Sequence, residues 1–249
     1  MKTLLRLLYC IYQVIIAVPI VVLSTALTAI TTGVGSTLFN AHFWGYWPGR
    51  IWSKIVCTTL LLPVHVEGRE HIKAGQSYVF VANHQGSLDI FLIYGYLGRN
   101  FKWMMKKAIR KMPLVGFACE RGQHIFVDKS GPKKIQETYE KARQTLRGGT
   151  SLVVFAEGAR TFTGRMRPFR KGAFQLAEEL HLPIIPITID GAFEALPRTR
   201  GFGFVTWHPL RMVIHPPIEP NTNASSDTNT ILKQTYTTIM SALPKEHQE

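Results

Sequence analysis

The chain has 249 residues, of which 46% are hydrophobic, and 29 Lys and Arg against 16 Asp and Glu give a formal net charge of +13. That length fits one large domain, or one domain plus a membrane segment, and the positive charge suits an anionic partner such as a lipid surface, a phosphate-bearing substrate, an acidic carrier or nucleic acid. The three widely spaced cysteines exclude a disulfide framework and a zinc pattern, and no nucleophile-elbow, zinc-protease or Walker motif is present.

The N-terminal stretch Leu7–Gly49 contains no Asp, Glu, Lys or Arg. Its first part, Leu7–Ile30, is long enough to cross roughly 30 Å of hydrocarbon as a helix. A cleaved signal peptide would have a shorter apolar region, and a buried core helix remains an alternative. A membrane-inserted segment is the favoured interpretation, and Lys2 and Arg6 place its start on the cytoplasmic side.

A second apolar helix is predicted between Pro48 and Pro63. Aromatic residues, which favour the headgroup level of a bilayer, crowd around its start. A two-helix hairpin that enters the bilayer and returns would keep the rest of the chain cytoplasmic. The predicted division is therefore a membrane-anchoring helical pair at 1–63 and an α/β domain at 64–249.

Beyond residue 63, short apolar runs with strand composition alternate with segments of helical periodicity. Pro113–Gly116 interrupts this pattern. The alternation predicts an α/β fold, with a mixed, mostly parallel sheet flanked by helices. The predicted strands cover 64–67, 78–82, 124–127, 151–155, 182–189 and 211–214, and the predicted helices begin near 90, 135, 171 and 231. Residues 101–105 form a further apolar run, which is not assigned to a strand or a helix.

His84 and Asp89 belong to the stretch 83–89, N-H-Q-G-S-L-D, which directly follows the strand at 78–82. With Gly86 or Ser87 capping the next helix, His84 stands at the carboxyl end of a strand and Asp89 in the first turn of a helix. A carboxylate that accepts the Nδ1 proton of a histidine leaves Nε2 free to take a proton from a hydroxyl. The spacing thus predicts a general base, although a lone histidine is more often structural.

A second polar motif, A-E-G-A-R at 156–160, follows the buried strand Ser151–Phe155. Ligands bind at the carboxyl ends of strands in open α/β sheets. Further cations follow in a basic loop at Arg165, Arg167, Arg170 and Lys171. This loop is either a solvated surface or a site for a phosphate or carrier, with Arg160 as a bidentate donor.

Four motifs in one order resemble the glycerolipid acyltransferase family, and are most similar to bacterial 1-acyl-glycerol-3-phosphate acyltransferases. They are N-H-Q-G-S-L-D at 83–89, F-V-D-K at 126–129, F-A-E-G-A-R at 155–160 and L-P-I-I-P-I at 182–187. The resemblance covers roughly residues 60–217, and the N-terminal helical pair is also similar to that of the family.

The resemblance implies that His84 and Asp89 are the catalytic dyad. It implies that Glu157, Gly158 and Arg160 bind the glycerol phosphate, and it makes the lysines Lys106 and Lys129 phosphate-binding residues. Lys129 stands where the family usually has arginine, Ala156 replaces a proline and Ala159 replaces a threonine.

The activity implied is acyl transfer from acyl-CoA or an acyl-carrier protein to the free hydroxyl of lysophosphatidic acid, without an acyl-enzyme, a metal or a cofactor. The partners expected are therefore membrane lipids and these two substrates, with no nucleic acid. The implied location is the cell inner membrane, with the catalytic domain on the cytoplasmic side. Two alternatives stay open: O-acylation of another lyso-lipid, such as an amino-acid lipid, and non-catalytic binding of anionic lipid.

Overall fold

The computed structural model describes residues 2–128, 130–146, 148–200, 203–219 and 228–248. These residues build a seven-stranded sheet with strand order β1-β7-β6-β2-β5-β3-β4. All neighbouring strands are parallel except β6 and β7, which confirms the predicted mixed, mostly parallel sheet. The strands are β1 Val64–Glu67, β2 Val79–Ala82, β3 Phe101–Lys106, β4 Ile125–Val127, β5 Ser151–Phe155, β6 Ile184–Asp190 and β7 Leu210–Ile214.

Helices cover both faces of the sheet. The two apolar cores explain why β2 is a continuous apolar run: Val79 and Val81 point into one core, and Phe80 and Ala82 into the other. The helices are α1 Lys2–Tyr12, α2 Val18–Leu38, α3 Ala41–Trp44, α4 Trp47–Thr59, α5 Leu88–Tyr96, α6 Val115–Arg121, α7 Pro132–Thr145, α8 Gly172–Glu179, α9 Ala192–Ala195 and α10 Thr228–Ser241.

Helix α6 is not indicated by the sequence pattern, which shows only an interruption at Pro113–Gly116. The helix begins at Val115, with Leu114 at the N-cap position, so Pro113 lies before the first helical residue. With seven residues, α6 is too short to display an apolar period of its own.

The N-terminal helices α1 and α2 form one continuous helix, joined by a single π turn at Gln13–Ala17. Pro19 has no N–H to donate, and a π turn immediately before it accommodates the proline without ending the helix. Thr3–Leu38 is the one helix in the described part of the chain that is long and apolar enough to cross a membrane. Only 11% of its most apolar window is buried, so it is not a core helix.

Helix α4 runs back along this long helix. The hydroxyl of Tyr9 donates to the Leu60 carbonyl over 2.6 Å, and Trp52 Nε1 donates to Thr25 Oγ1 over 3.0 Å. With 13 residues, α4 is about 20 Å long and cannot cross a bilayer alone. The other face of α4 packs on α5, so both helices of the N-terminal pair contact the α/β part, and the division at residue 63 stays a prediction.

The long helix is also tied to the body by a buried amide. Gln13 Nε2 donates to the Val205 carbonyl over 2.9 Å, and the Val205 N–H donates to Gln13 Oε1 over 2.8 Å. Together with the contacts at Tyr9 and Thr25, this pair shows that the helix lies against the protein along much of its length.

We expect His124 to make stability depend on pH. Burial lowers the pKa of His124 to about 3, and the positive charge of nearby Lys102 adds to the effect. In the folded protein its Nδ1 accepts the Trp103 N–H over 3.1 Å. In the unfolded chain His124 takes up a proton below about pH 6.5, whereas in the folded chain it stays neutral down to about pH 3. The free energy of unfolding is therefore highest above pH 6.5 and decreases as the pH falls below it. Lowering the pH from about 7.5 to about 5.5 should reduce the free energy of unfolding by roughly 1.4 kcal/mol through His124.

The measurement is chemical unfolding at the two pH values for the wild type and for His124→Asn. The asparagine oxygen can still accept the Trp103 N–H but cannot be protonated, so the variant should lack this part of the pH dependence. An unchanged pH dependence in His124→Asn would contradict the assignment.

Candidate active site

The turn that carries His84 leaves the sheet at the carboxyl end of β2. Asn83 anchors it there, because its buried amide forms two hydrogen bonds with the backbone of Ile189 in β6: Nδ2 donates to the carbonyl over 2.8 Å, and Oδ1 accepts the N–H over 2.7 Å. These bonds continue the β2–β6 ladder by one residue. His84 is consequently the first residue free to turn away from the sheet.

His84 and Asp89 meet as their spacing predicts. His84 Nδ1 lies 2.7 Å from Asp89 Oδ2, and the same oxygen accepts the Gly86 N–H over 2.9 Å. Asp89 is fully buried in the first turn of α5, whereas the His84 side chain keeps 13% of its surface exposed. With Nδ1 donating to the carboxylate, Nε2 carries the lone pair, and no described residue hydrogen-bonds to it.

An aromatic stack fixes the plane of the His84 ring. The ring lies on Phe155 with centroids 3.8 Å apart and planes 7° apart, and Trp103 stacks on Phe155 at 5.4 Å. Phe155 ends β5 and Trp103 lies in β3, so two neighbouring strands hold the imidazole. Sequence analysis did not identify either aromatic residue, because nothing in the spacing of 103, 155 and 84 indicates that they stack.

Glu157 lies buried beneath this turn. Its Oε1 accepts the His84 N–H over 2.6 Å, and its Oε2 accepts the Arg167 N–H over 3.1 Å. Burial raises the pKa of Glu157 to about 7, although both backbone hydrogen bonds favour the charged form. The carboxylate therefore connects the turn of His84 to the basic loop, and the phosphate-binding role implied for Glu157 stays a prediction.

Arg160 reaches the amino end of α5. Its Nη1 donates to Ser87 Oγ over 2.5 Å, which places the guanidinium on the same turn as His84. Ser87 occupies the N-cap position as expected, but its side chain makes no capping bond to the helix. Gly158 lets the Arg170 side chain of the basic loop pack closely against the backbone at residue 158. Gly158 has φ of +72°, and a Cβ there would lie 2.7 Å from Arg170 Nε.

Lys106 ends β3 and is exposed. Since β3 runs parallel to β5, and β5 to β2, the lysine lies at the same edge of the sheet as His84. Lys129 lies outside the residues that the structure describes. Asp128 before it accepts a hydrogen bond from Lys107 over 2.7 Å.

The C-terminal segment supplies contacts that no local motif indicates. Buried His247 places Nδ1 3.1 Å from Asp190 Oδ1 and Nε2 2.8 Å from Glu194 Oε1, and Gln85 Nε2 lies 3.1 Å from Nδ1. The Met166 N–H also donates to the His247 carbonyl over 3.2 Å. His247 thus packs against both the turn of His84 and the basic loop, although it lies 162 residues from Gln85 in the sequence.

Asp190, Glu194 and His247 form the one group in the described ranges whose ligand atoms are close enough to hold a metal. Each imidazole nitrogen faces a different carboxylate, and one ion cannot bind both edges of the ring. The group is therefore accounted for by hydrogen bonding.

Comparison with known proteins connects this geometry to a family. The protein-family model described as Acyltransferase matches residues 63–190. An uncharacterized acyltransferase of Schizosaccharomyces pombe is 32% identical over 203 residues, which are 80% of this chain and 71% of that protein. The solved structure of the 1-acyl-sn-glycerophosphate (LPA) acyltransferase from Thermotoga maritima has a TM-score of 0.76 at 24% identity, over 96% of this chain and 95% of that chain. At that identity the likeness shows the fold.

Relatives with a named activity are similar over shorter stretches. A chloroplastic 1-acyl-sn-glycerol-3-phosphate acyltransferase of Brassica napus is 30% identical over 154 residues, covering 61% of this chain and 44% of the relative. A chloroplastic enzyme of the same name from Arabidopsis thaliana is 31% identical over 156 residues, covering 62% of this chain and 43% of the relative. The chain thus spans less than half the length of these curated relatives.

We expect Glu157→Gln to destabilise the protein. The amide keeps the shape of the side chain but replaces one acceptor oxygen with a donor, so either His84 N–H or Arg167 N–H loses its partner. A buried unpaired N–H costs roughly 1–3 kcal/mol. Chemical unfolding should show this loss, while Glu70→Gln at an exposed site should not. Equal unfolding free energies for the two variants would refute the bridging role.

Proposed function

Because this chain belongs to the acyltransferase family, we propose that it transfers a fatty acyl group from a thioester donor to the free hydroxyl of lysophosphatidic acid, making phosphatidic acid. The observation that carries this proposal is the His84–Asp89 pair, with Nδ1 of the imidazole engaged and Nε2 open. A histidine in that state is a general base for a hydroxyl. The hydroxyl then belongs to the substrate.

The proposed reaction follows from that pair. Nε2 of His84 takes the hydroxyl proton while the acceptor oxygen bonds to the thioester carbonyl carbon. The tetrahedral intermediate then collapses by breaking the carbon–sulfur bond, and the imidazolium returns the proton to the sulfur, so that the free thiol leaves. Asp89 stabilises the imidazolium, and the stack on Phe155 keeps the ring in the plane that points Nε2 at the acceptor.

The cations at this edge support an acceptor with a phosphate group. Arg160 lies on the catalytic turn through its bond to Ser87, and Lys106 is exposed at the end of β3. A guanidinium can bind phosphate oxygens through two parallel N–H donors, and a lysine adds a point charge. Lysophosphatidic acid carries its phosphate close to the free hydroxyl, which suits cations placed beside the base.

The donor is either acyl-CoA or an acyl-carrier protein. Both present the same thioester carbonyl, so the steps at His84 are the same for both. The basic loop that Glu157 holds through Arg167 offers positive charge to either donor, because both are anionic around the thioester arm.

For the membrane, the long apolar helix supports attachment, and its contacts with the body support an arrangement along the bilayer surface. A helix held at Tyr9, Gln13 and Thr25 cannot stand across the bilayer without drawing the polar body in with it. Lys2 and Arg6 favour the cytoplasmic side of the inner membrane.

Acylation of a different lyso-lipid would use the same base and the same cations. Incubation of membranes with a labelled acyl donor and a panel of lyso-lipids separates the two, since only the true acceptor yields a new diacyl product. Absence of any diacyl product would favour non-catalytic binding of anionic lipid.

We expect His84→Ala to lower kcat by about 10²–10⁴-fold, the usual contribution of a general base. The membrane-bound fraction should stay unchanged, whereas the unfolding temperature should fall, because the buried Asp89 carboxylate loses one of its two partners. The kcat is therefore compared for folded protein at a temperature below the unfolding transition of the variant. His65→Ala, at an exposed position in β1, is the matched control. Near-normal turnover in His84→Ala would refute the mechanism.

Arg160→Ala should raise KM for the phosphate-bearing acceptor by roughly 10- to 100-fold, because it removes a charged hydrogen bond. The kcat should change much less, since Arg160 does not contact the His84 ring. Lys133→Ala removes a cation from the exposed surface of α7 and is the control for net charge. If KM is the same in Arg160→Ala and Lys133→Ala, the phosphate-binding assignment is wrong.

A further inference from the structure

The turn between β3 and α6 exposes three large apolar side chains. Met112, Leu114 and Phe117 are exposed by 51%, 54% and 46%, although they lie within six residues of one another. Scattered exposed apolar residues are common, but a contiguous group of this kind marks an interaction site. We call residues 112–117 the apolar turn.

The backbone of the apolar turn holds Leu114 outward. Leu114 has φ of +58°, a left-handed conformation that leucine rarely adopts. Burial of the side chain within the protein does not offset the cost of this backbone conformation, because Leu114 is exposed. The conformation presents the leucine side chain to a surface other than the described part of the chain.

Cations surround the apolar turn. Four precede it at Lys106, Lys107, Arg110 and Lys111, and Arg121 follows at the end of α6. Glu120 is the one carboxylate within 106–121, and it pairs with Arg110 over 3.4 Å. Lys111 and Arg121 form no ion pair with any residue in the described ranges. An apolar centre with a cationic rim is the pattern of a segment that enters an anionic lipid surface.

The apolar turn also continues the exposed apolar surface of the long N-terminal helix. Phe117 packs directly on Gly33 of α2, where a Cβ would lie 2.2 Å from the ring. On the same helix, the neighbouring Ile30 and Val34 are exposed. The two apolar surfaces are therefore side by side, and a bilayer that receives one of them is next to the other.

We propose that the apolar turn is a second membrane contact, which enters the headgroup region of an anionic bilayer with Leu114 at its centre and with Lys111 and Arg121 on lipid phosphates. The proposal rests on the membrane attachment proposed above for the long helix. Because β3 carries Lys106 to the same edge as His84 and leads directly into this turn, the contact fixes the active edge of the sheet against the lipid surface where a lyso-lipid is dissolved.

The direct test places a fluorescent probe on the turn. Leu114→Cys is labelled with a nitrobenzoxadiazole dye in the full chain, with Cys10 and Cys119 changed to serine and the buried Cys57 retained. On vesicles of phosphatidylcholine and phosphatidylglycerol, the dye should shift to shorter wavelength and be quenched by lipids that carry a quencher near the headgroup. The same dye at Ile135→Cys, a 38% exposed apolar site on α7, should stay water-like.

A dye at 114 that stays water-like on bound protein would overturn the proposal. A shift that is equal on vesicles of phosphatidylcholine alone would also overturn it, because the cationic rim would then have no part. These readings do not use catalysis, so they stand whether or not acyl transfer is observed.

The second test uses turnover. Leu114→Glu should lower the rate on acceptor held in anionic vesicles by roughly tenfold, because a leucine that inserts into the bilayer is replaced by a negative charge facing lipid phosphates. The rate on acceptor dispersed in detergent micelles should be unchanged, and Ile135→Glu should be unaffected in both formats. An equal loss in vesicles and micelles would refute the membrane role. A loss in both formats that appears only with an acyl-carrier-protein donor would instead identify the turn as a protein-docking surface.

Discussion

The buried carboxylate of Asp89 is the constraint on which the site depends. A charge out of contact with water is costly unless it is paired, and Asp89 Oδ2 has two partners, His84 Nδ1 and the Gly86 N–H. Both partners belong to one short turn, so the carboxylate closes that turn and sets the tautomer of the imidazole at once. The attraction within this pair is strongest when His84 takes up a proton, because a neutral ring then becomes a cation beside a buried anion.

Around this pair, the parallel sheet brings together groups that are distant in the chain. The carboxyl ends of β2, β3 and β5 lie at one edge, so that Trp103, Phe155 and Glu157 all reach the turn of His84. Each controls a different degree of freedom: the aromatic stack fixes the ring plane, and the glutamate fixes the backbone beneath it. His247 closes the far side of the turn through Gln85.

The membrane arrangement proposed above would account for the positive charge of the chain. The long apolar helix is held along the body at Gln13 and Thr25, and a glycine at 33 lets α6 pack against it. Exposed apolar residues and cations therefore lie together beside the edge of the sheet that carries His84. Under the proposed function, this arrangement would spare the enzyme from extracting a lyso-lipid into water, because the proposed base, the cations and the lipid surface would be adjacent.

The sequence by itself determined the α/β class, the positions of most strands along the chain and the apolar N-terminal helix. It also determined the pairing of His84 with Asp89. These follow from local periodicity and from a spacing that spans one turn, so residue order is enough. The tertiary structure alone decided that Phe155 stacks on His84, that Glu157 bridges two backbone segments, and that His247 packs beside Gln85. Those contacts join residues from 10 to 162 positions apart. They depend on which strands are neighbours in the sheet, and that order is decided by packing on both faces of the sheet and not by any short stretch of chain.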